Sequence, residues 1–274
     1  MTRKLLQLAV ATLTLATLSK VCGASTLYGI EFATGTGFYT VDQTTGGITL
    51  LGNTGNTATG DLTSNLQNTI WTVDMTNADL LTVNRNTGAL GPAIPILAPT
   101  GGPVDIVSLA WNPVTGVLFG NTSVGFGNTT NDQLFTINPT TGAATFVGTI
   151  GFNAVYALGF SRNGTLYGIS NTSSDLITIN TATGVGSLVA PVTLTAAYDL
   201  AFRPEDDVMF VADSGTSSLY TMDRTTGAAA LVGGYGSSTN VVGLAFIVPE
   251  PSTALLFLGG LALAGIGARK RLSR

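Results

Sequence analysis

A five-fold internal repeat limits what this chain can fold into more than any other feature. A short apolar-aromatic motif recurs as Leu27-Tyr28-Gly29-Ile30, Ile70-Trp71-Thr72-Val73, Leu118-Phe119-Gly120-Asn121, Leu166-Tyr167-Gly168-Ile169 and Met209-Phe210-Val211-Ala212, so that the copies start near residues 27, 70, 118, 166 and 209. Each copy leads into a second strand that ends in Asp or Asn (Phe38-Tyr39-Thr40-Val41-Asp42 is the first) and then into a Thr-Gly turn closed by Gly46, Gly88, Gly142, Gly184 or Gly227. The Asp or Asn side chain can bond backbone amides two residues on, and the glycine is free to take the positive φ such hairpin loops need. A further strand follows, clearest at 48–52, 144–148 and 229–233. Strands this short and this regularly spaced, with no helical period between them, predict an all-β meander. One such unit cannot bury its apolar face alone, so the units must stack on one another.

A fourth strand precedes each copy: Val107-Ser108-Leu109-Ala110-Trp111, Tyr156-Ala157-Leu158-Gly159-Phe160, Tyr198-Asp199-Leu200-Ala201-Phe202 and, with a poorer pattern, Gly60-Asp61-Leu62-Thr63-Ser64. The first copy lacks its opening strand, and the last is followed by an unpartnered one at residues 242–246. One strand missing at the front and one spare at the back predict a ring. The expected fold is an all-β, five-bladed β-propeller closed by the C-terminal strand. The body resembles secreted bacterial propellers with blades of this type, a likeness that speaks to architecture and not to activity. Two departures are expected: an irregular outer edge at Gly91-Pro92-Ala93-Ile94-Pro95, where proline cannot donate to a ladder, and an exposed loop at the Gly/Asn-rich insertion 123–131.

Both ends carry address signals. Arg3 and Lys4, an apolar run over residues 5–18 and the small-residue site Cys22-Gly23-Ala24 read as a secretory signal peptide over 1–24, with cleavage after Ala24. The only cysteine would leave with it, so neither a disulfide framework nor a thiolate metal site is available to the mature chain. Residues 249–274 begin with Pro249, Glu250 and Pro251, continue as an uncharged apolar segment at 252–268 and end on Arg269-Lys270-Arg271. Seventeen residues is the short end of what spans a bilayer as a transmembrane helix, and the cations would stay cytoplasmic. The order of polar signature, apolar run and basic stop resembles the PEP-CTERM sorting signal. That resemblance implies signal peptidase and an exosortase-type processing enzyme as partners, anchoring in the inner membrane in transit, and a final place at the cell surface or outside it, with exopolysaccharide and biofilm matrix.

Between the signals, residues 25–248 are enough for one domain with its own core. They hold four cations (Arg85, Arg162, Arg203 and Arg224) against fourteen acids, which leaves a charge near −10 and no lysine. Nucleic acid and anionic lipid are poor partners for such a body, because binding them rests on clustered cations. The chain has no histidine, which removes the commonest general base and zinc ligand. No cofactor is expected, although acidic, oxygen-rich loops leave room for Ca²⁺.

Aligning the opening strands puts Asp61, Ser108, Ala157, Asp199 and Gly243 at one position facing the expected channel. Asp61 and Asp199 are therefore candidate ligand-binding residues. The alternative is that these aspartates cap the start of their own strand or hold backbone amides of a neighbouring blade. The run Glu205-Asp206-Asp207 and the segment Asp213-Ser214-Gly215-Thr216 could offer oxygens to Ca²⁺ but read more simply as turns. The repeated aromatics Tyr28, Trp71, Phe119, Tyr167 and Phe210 suit packing between blades better than a ring of sugar platforms. The sequence thus points to an exported binding or structural module without catalytic residues. A carboxylate-dependent glycoside hydrolase or lyase working in the channel is the alternative.

Overall fold

The computed structural model describes residues 24–32, 36–123, 131–194, 196–236 and 240–249. The expected signal peptide (1–24, save Ala24), the apolar segment 252–268 and the signature residues Glu250 and Pro251 lie outside these. Pro249 is half-buried just past the last strand.

Twenty strands form five four-stranded antiparallel sheets, and no helix forms among the described residues. Blade 1 consists of β1 (Thr26–Glu31), β2 (Gly37–Val41) and β3 (Ile48–Asn53). Blade 2 is β4 (Thr59–Ser64), β5 (Ile70–Asp74), β6 (Asp79–Val83) and β7 (Ile94–Pro95). Blade 3 is β8 (Ile106–Trp111), β9 (Leu118–Thr122), β10 (Gln133–Ile137) and β11 (Ala144–Thr149). Blade 4 is β12 (Val155–Phe160), β13 (Leu166–Ser170), β14 (Asp175–Ile179) and β15 (Gly186–Pro191). Blade 5 is β16 (Ala197–Phe202), β17 (Met209–Asp213), β18 (Ser218–Met222) and β19 (Ala229–Gly234). The last strand, β20 (Val241–Ile247), leaves blade 5 and becomes the innermost strand of blade 1, pairing with β1 so that Leu27 faces Phe246 and Ile30 faces Gly243. The five innermost strands follow one another around the axis, and β16 packs back against β20. The chain is a closed five-bladed propeller. The outer strand of blade 2 shrinks to two residues beside Pro92 and Pro95, as the proline content dictates.

The core is divided into five clusters, one at each seam between neighbouring blades. Every cluster holds the leucine of one opening strand: Leu62, Leu109, Leu158, Leu200 or Leu244, each fully buried. Four seams also carry an aromatic pair that joins consecutive blades: Trp71–Trp111, Phe119–Phe160, Tyr167–Phe202 and Phe210–Phe246, with ring centroids 5.3–5.7 Å apart. In β4 the partner position holds Ser64. There Tyr28 stacks on Phe38 of its own blade instead, and the Ser64 hydroxyl donates to the Phe246 carbonyl. The repeated aromatics are therefore cement between sheets.

The Thr-Gly turns have a second task. The turn of each blade sits flat on the outer strand of the blade before it, backbone against backbone. A methyl group on Gly46 would lie 2.3 Å from the Gly233 carbonyl oxygen, and one on Gly148 would lie 1.9 Å from that of Thr183. Gly46 also has φ +72°, which only glycine adopts without strain. At four of the turns the side chain of the preceding Asp or Asn accepts two amides, as Asp42 does from Thr44 and Thr45 at 2.8 and 2.9 Å, while Asn84 accepts one, from Asn86.

Candidate functional site

The axis is filled at its waist. Asp61 of β4 and Asp199 of β16 are 1 % and 0 % exposed, and they come from blades that are not neighbours in the ring. Each carboxylate caps its own strand and reaches to the next. Asp61 Oδ1 accepts from the Leu62 amide, while Oδ2 accepts from the Ser108 hydroxyl and the Leu109 amide of blade 3. Asp199 does the same with the Leu200 amide and, across the ring's closing seam, with the Leu244 amide of β20. The two carboxyl groups also hydrogen-bond each other. Burial pushes both well above the ordinary carboxylate value, and the charge of Asp61 raises Asp199 further. Such a pair keeps a proton between its members at neutral pH. The position equivalence read from the opening strands brings these two side chains together, and their partners are the inward-facing amides of neighbouring blades.

Above this plug one end of the channel opens into a cavity of about 200 Å³ lined by Phe32, Gly60, Met75, Val107, Tyr156, Tyr198 and Val242. Five of these seven are the second residue of an opening strand, one per blade. Each falls at a β-bulge. Val155 pairs with Ser170 and Ala157 with Ile169, so Tyr156 has no opposite partner. Tyr198 is skipped in the same way between Ala197 and Asp199, Val107 between Ile106 and Ser108, Val242 between Val241 and Gly243, and Gly60 with Asp61 between Thr59 and Leu62. A bulge turns the extra residue out of the ladder and re-aims its side chain. Here five bulges aim five residues at one mouth.

The two tyrosines dominate that mouth. Their rings stack at 5.3 Å between centroids and 26° between planes, half-buried. Burial raises both phenols above their ordinary value, so at neutral pH they remain O–H donors. Their bulges are pinned from the preceding blade. Asn121 Nδ2 donates to the Val155 carbonyl at 2.7 Å, and the Val155 amide donates to Asp132 Oδ2 at 2.7 Å. Asn171 clasps Ala197 twice, its Nδ2 donating to the carbonyl at 2.7 Å and its Oδ1 accepting from the amide at 3.2 Å. Burial pushes Asp132 up to about 6, and Ser123 hydrogen-bonds both Asp132 and Tyr156. These residues were missed in the sequence because a bulge shifts the alternation by one. The available signal was a large aromatic directly before the channel-facing position in two of five repeats.

The other candidates fall elsewhere. Asp206 forms an ion pair with Arg203 at 2.6 Å, and Asp207 forms one with Arg224. Asp213 accepts the amide and hydroxyl of Thr216 and the Ala196 amide, which makes it the cap of a tight turn. No cluster of three or more Asp or Glu able to hold a metal occurs among the described residues. The opposite channel end is rimmed by Trp111, Phe160, Phe202, Arg162 and Arg203, engaged in seam packing and turn bonds.

Residues 248–271 match the PEP-CTERM protein-sorting motif. The chain carries a PEP-CTERM sorting signal. The motif implies export, membrane-associated processing and recognition by an exosortase, and it covers only the C-terminal end. No curated protein matches the chain. Among solved structures, a chain from a nidogen/laminin complex aligns with a TM-score of 0.55 at 10% identity, covering 82% of this chain and 98% of that chain. At that identity the likeness concerns the fold. A Bacteroides thetaiotaomicron protein of unknown function aligns at 11% identity with a TM-score of 0.48, covering 76% of this chain and 50% of its own.

Proposed function

We propose that the exported propeller is a non-catalytic module that binds extracellular polysaccharide at the tyrosine mouth and holds the protein in the surface matrix. The observation that carries this reading is the bulge-borne pair Tyr156–Tyr198, pre-aimed at the open end of a plugged channel. A sugar ring offers a face of C–H groups and a rim of hydroxyls. Half-buried phenol rings match the first with their faces and the second with their O–H groups. The cavity of about 200 Å³ is smaller than the roughly 300–1,000 Å³ that encloses a drug-sized ligand, which suits one ring or chain end of a polymer. The acidic charge and the absence of lysine argue against anionic partners.

The geometry of the carboxylates speaks against the hydrolase alternative. Retaining and inverting glycosidases hold their two carboxyl groups about 5–5.5 and 6.5–9.5 Å apart, with the substrate between them. Asp61 and Asp199 are in direct hydrogen-bond contact, and their oxygens are occupied by amides. The test is binding of the purified body 25–248 to matrix polysaccharide, by sedimentation or calorimetry. The Tyr156→Ala/Tyr198→Ala double variant should lose about 5- to 150-fold in affinity, two stacking contacts at about 0.5–1.5 kcal/mol each. Equal binding by the double variant, or cleavage of the polymer that Asp199→Asn abolishes, would overturn the proposal.

A further inference from the structure

We infer that the mature chain begins at Ser25 and that its newly freed α-amino group is received by the carboxylate of Glu205, clasping the first blade to the last. Three observations converge. The compact body starts at Ser25, and Ala24 before it is exposed while Ser25 is buried at 4 %. Every polar group of Ser25 is engaged: its backbone N–H donates to Glu205 Oε1, its hydroxyl donates to Oε2 at 2.9 Å, and its carbonyl accepts from Gln43 Nε2 at 2.7 Å. Gln43 Oε1 in turn accepts from Arg203 at 3.2 Å, which ties the same corner to blade 5. Finally, the acidic run 205–207 is incompletely paired. Asp206 has Arg203 and Asp207 has Arg224, while Glu205 has no salt bridge among the described residues.

Processing would supply the missing cation. Water adds to the Ala24 carbonyl and the Ala24–Ser25 C–N bond breaks. The carboxylate leaves on Ala24, and the amine on Ser25 takes up a proton to become an ammonium. An amide with one N–H and no charge thereby becomes a positive group with three N–H donors, at a position where a bidentate carboxylate already waits. Glu205 belongs to the β16–β17 turn of blade 5 and Ser25 immediately precedes β1 of blade 1. The ion pair would therefore bridge the seam where the ring closes, beside the β1–β20 pairing. Asp206, Asp207, Arg203, Arg224 and Arg162 are the other charged groups at this corner: the first four neutralise one another in pairs, and the Arg162 guanidinium donates to the Pro204 carbonyl.

The experiment uses the protein exported by its host. Mass spectrometry of the N-terminal peptide should place the first residue at Ser25. The α-amino group, followed by ¹⁵N resonance against pH, should titrate about one pH unit above the ordinary value near 8. Glu205→Gln should return it to that ordinary value, and 1 M salt should do so in part, because the Glu205 side of the pair is exposed to screening. The conservative Glu205→Asp should retain part of the rise. A mature chain starting at another residue, or an α-amino group that titrates identically in wild type and Glu205→Gln, would overturn the inference. If Glu205→Gln does not fold, the salt dependence in the wild type decides alone.

Discussion

Asp61 and Asp199, from blades two steps apart, meet at the axis and hydrogen-bond each other while each also holds an amide of the next blade in the ring. The axis of a propeller exposes the inner edge of five sheets, and unpaired edge amides are costly when buried. Two acidic side chains satisfy four of those amides, of Leu62, Leu109, Leu200 and Leu244, in place of water. The plug can do so only by sharing a proton, and this gives the fold a dependence on pH.

Both carboxyls have folded values raised above the ordinary 3.8, so the folded protein binds more protons than the unfolded chain above that pH. Stability from the pair is therefore full below 3.8 and falls as pH rises toward neutrality. Urea denaturation midpoints measured from pH 4 to 8 should decline over that interval. Asp199→Asn, which keeps a donor and an acceptor without the charge, should flatten the decline. Asp199→Ala leaves the Leu200 and Leu244 amides orphaned and should cost about 2–5 kcal/mol. A flat profile in the wild type would disprove the shared proton.

Asp42 has the opposite sign. The Thr44 hydroxyl and the Thr44 and Thr45 amides hold it down at about 2. What it contributes is present above 3.8 and fades as pH falls through 2. Asp42→Ala should lower the melting temperature at neutral pH, and the difference from wild type should vanish near pH 2.

The turn-on-strand contact between blades is a steric statement. Gly148→Ala places a methyl 1.9 Å from the Thr183 carbonyl oxygen and must push blade 4 off blade 3. We expect a loss of about 2–4 kcal/mol by denaturant titration. Gly102→Ala, whose methyl meets nothing within 4 Å, should stay within about 0.5 kcal/mol of wild type.

Asn171 should matter to both stability and binding. Replacing it with Ala strips the Ala197 amide and carbonyl of their buried partners and should cost about 2–3 kcal/mol. Because Ala197 anchors the bulge that carries Tyr198, affinity for matrix polysaccharide should fall together with stability, although Asn171 does not line the mouth. Unchanged affinity in a folded Asn171→Ala protein would show that the bulge holds itself.

Much of the ring could be read from residue patterns. The Asp/Asn-x-Thr-Gly turns, the count of strands and the surplus strand before Val248 follow from local chemistry and arithmetic along the chain. The pairing of Leu27 with Phe246 was foreseeable because only one strand lacked a partner at each end. The mouth was not legible. Strand alternation assumes one residue per pleat, and a bulge adds one, so Tyr156 and Tyr198 looked like ordinary strand residues. That Asp61 should meet Asp199 rather than its sequence neighbours depends on the curvature of the ring, which no local pattern encodes. Gly148 appeared as a strand end, and its contact with Thr183 exists only between blades.

β20 supplies the innermost strand of the first sheet, yet it is synthesised some two hundred residues after β1. A nascent chain part-way through the export channel therefore has no way to seal its own circle. The circle needs residue 247 before it can close, and the sorting motif at 248–271 follows directly on the strand that closes it.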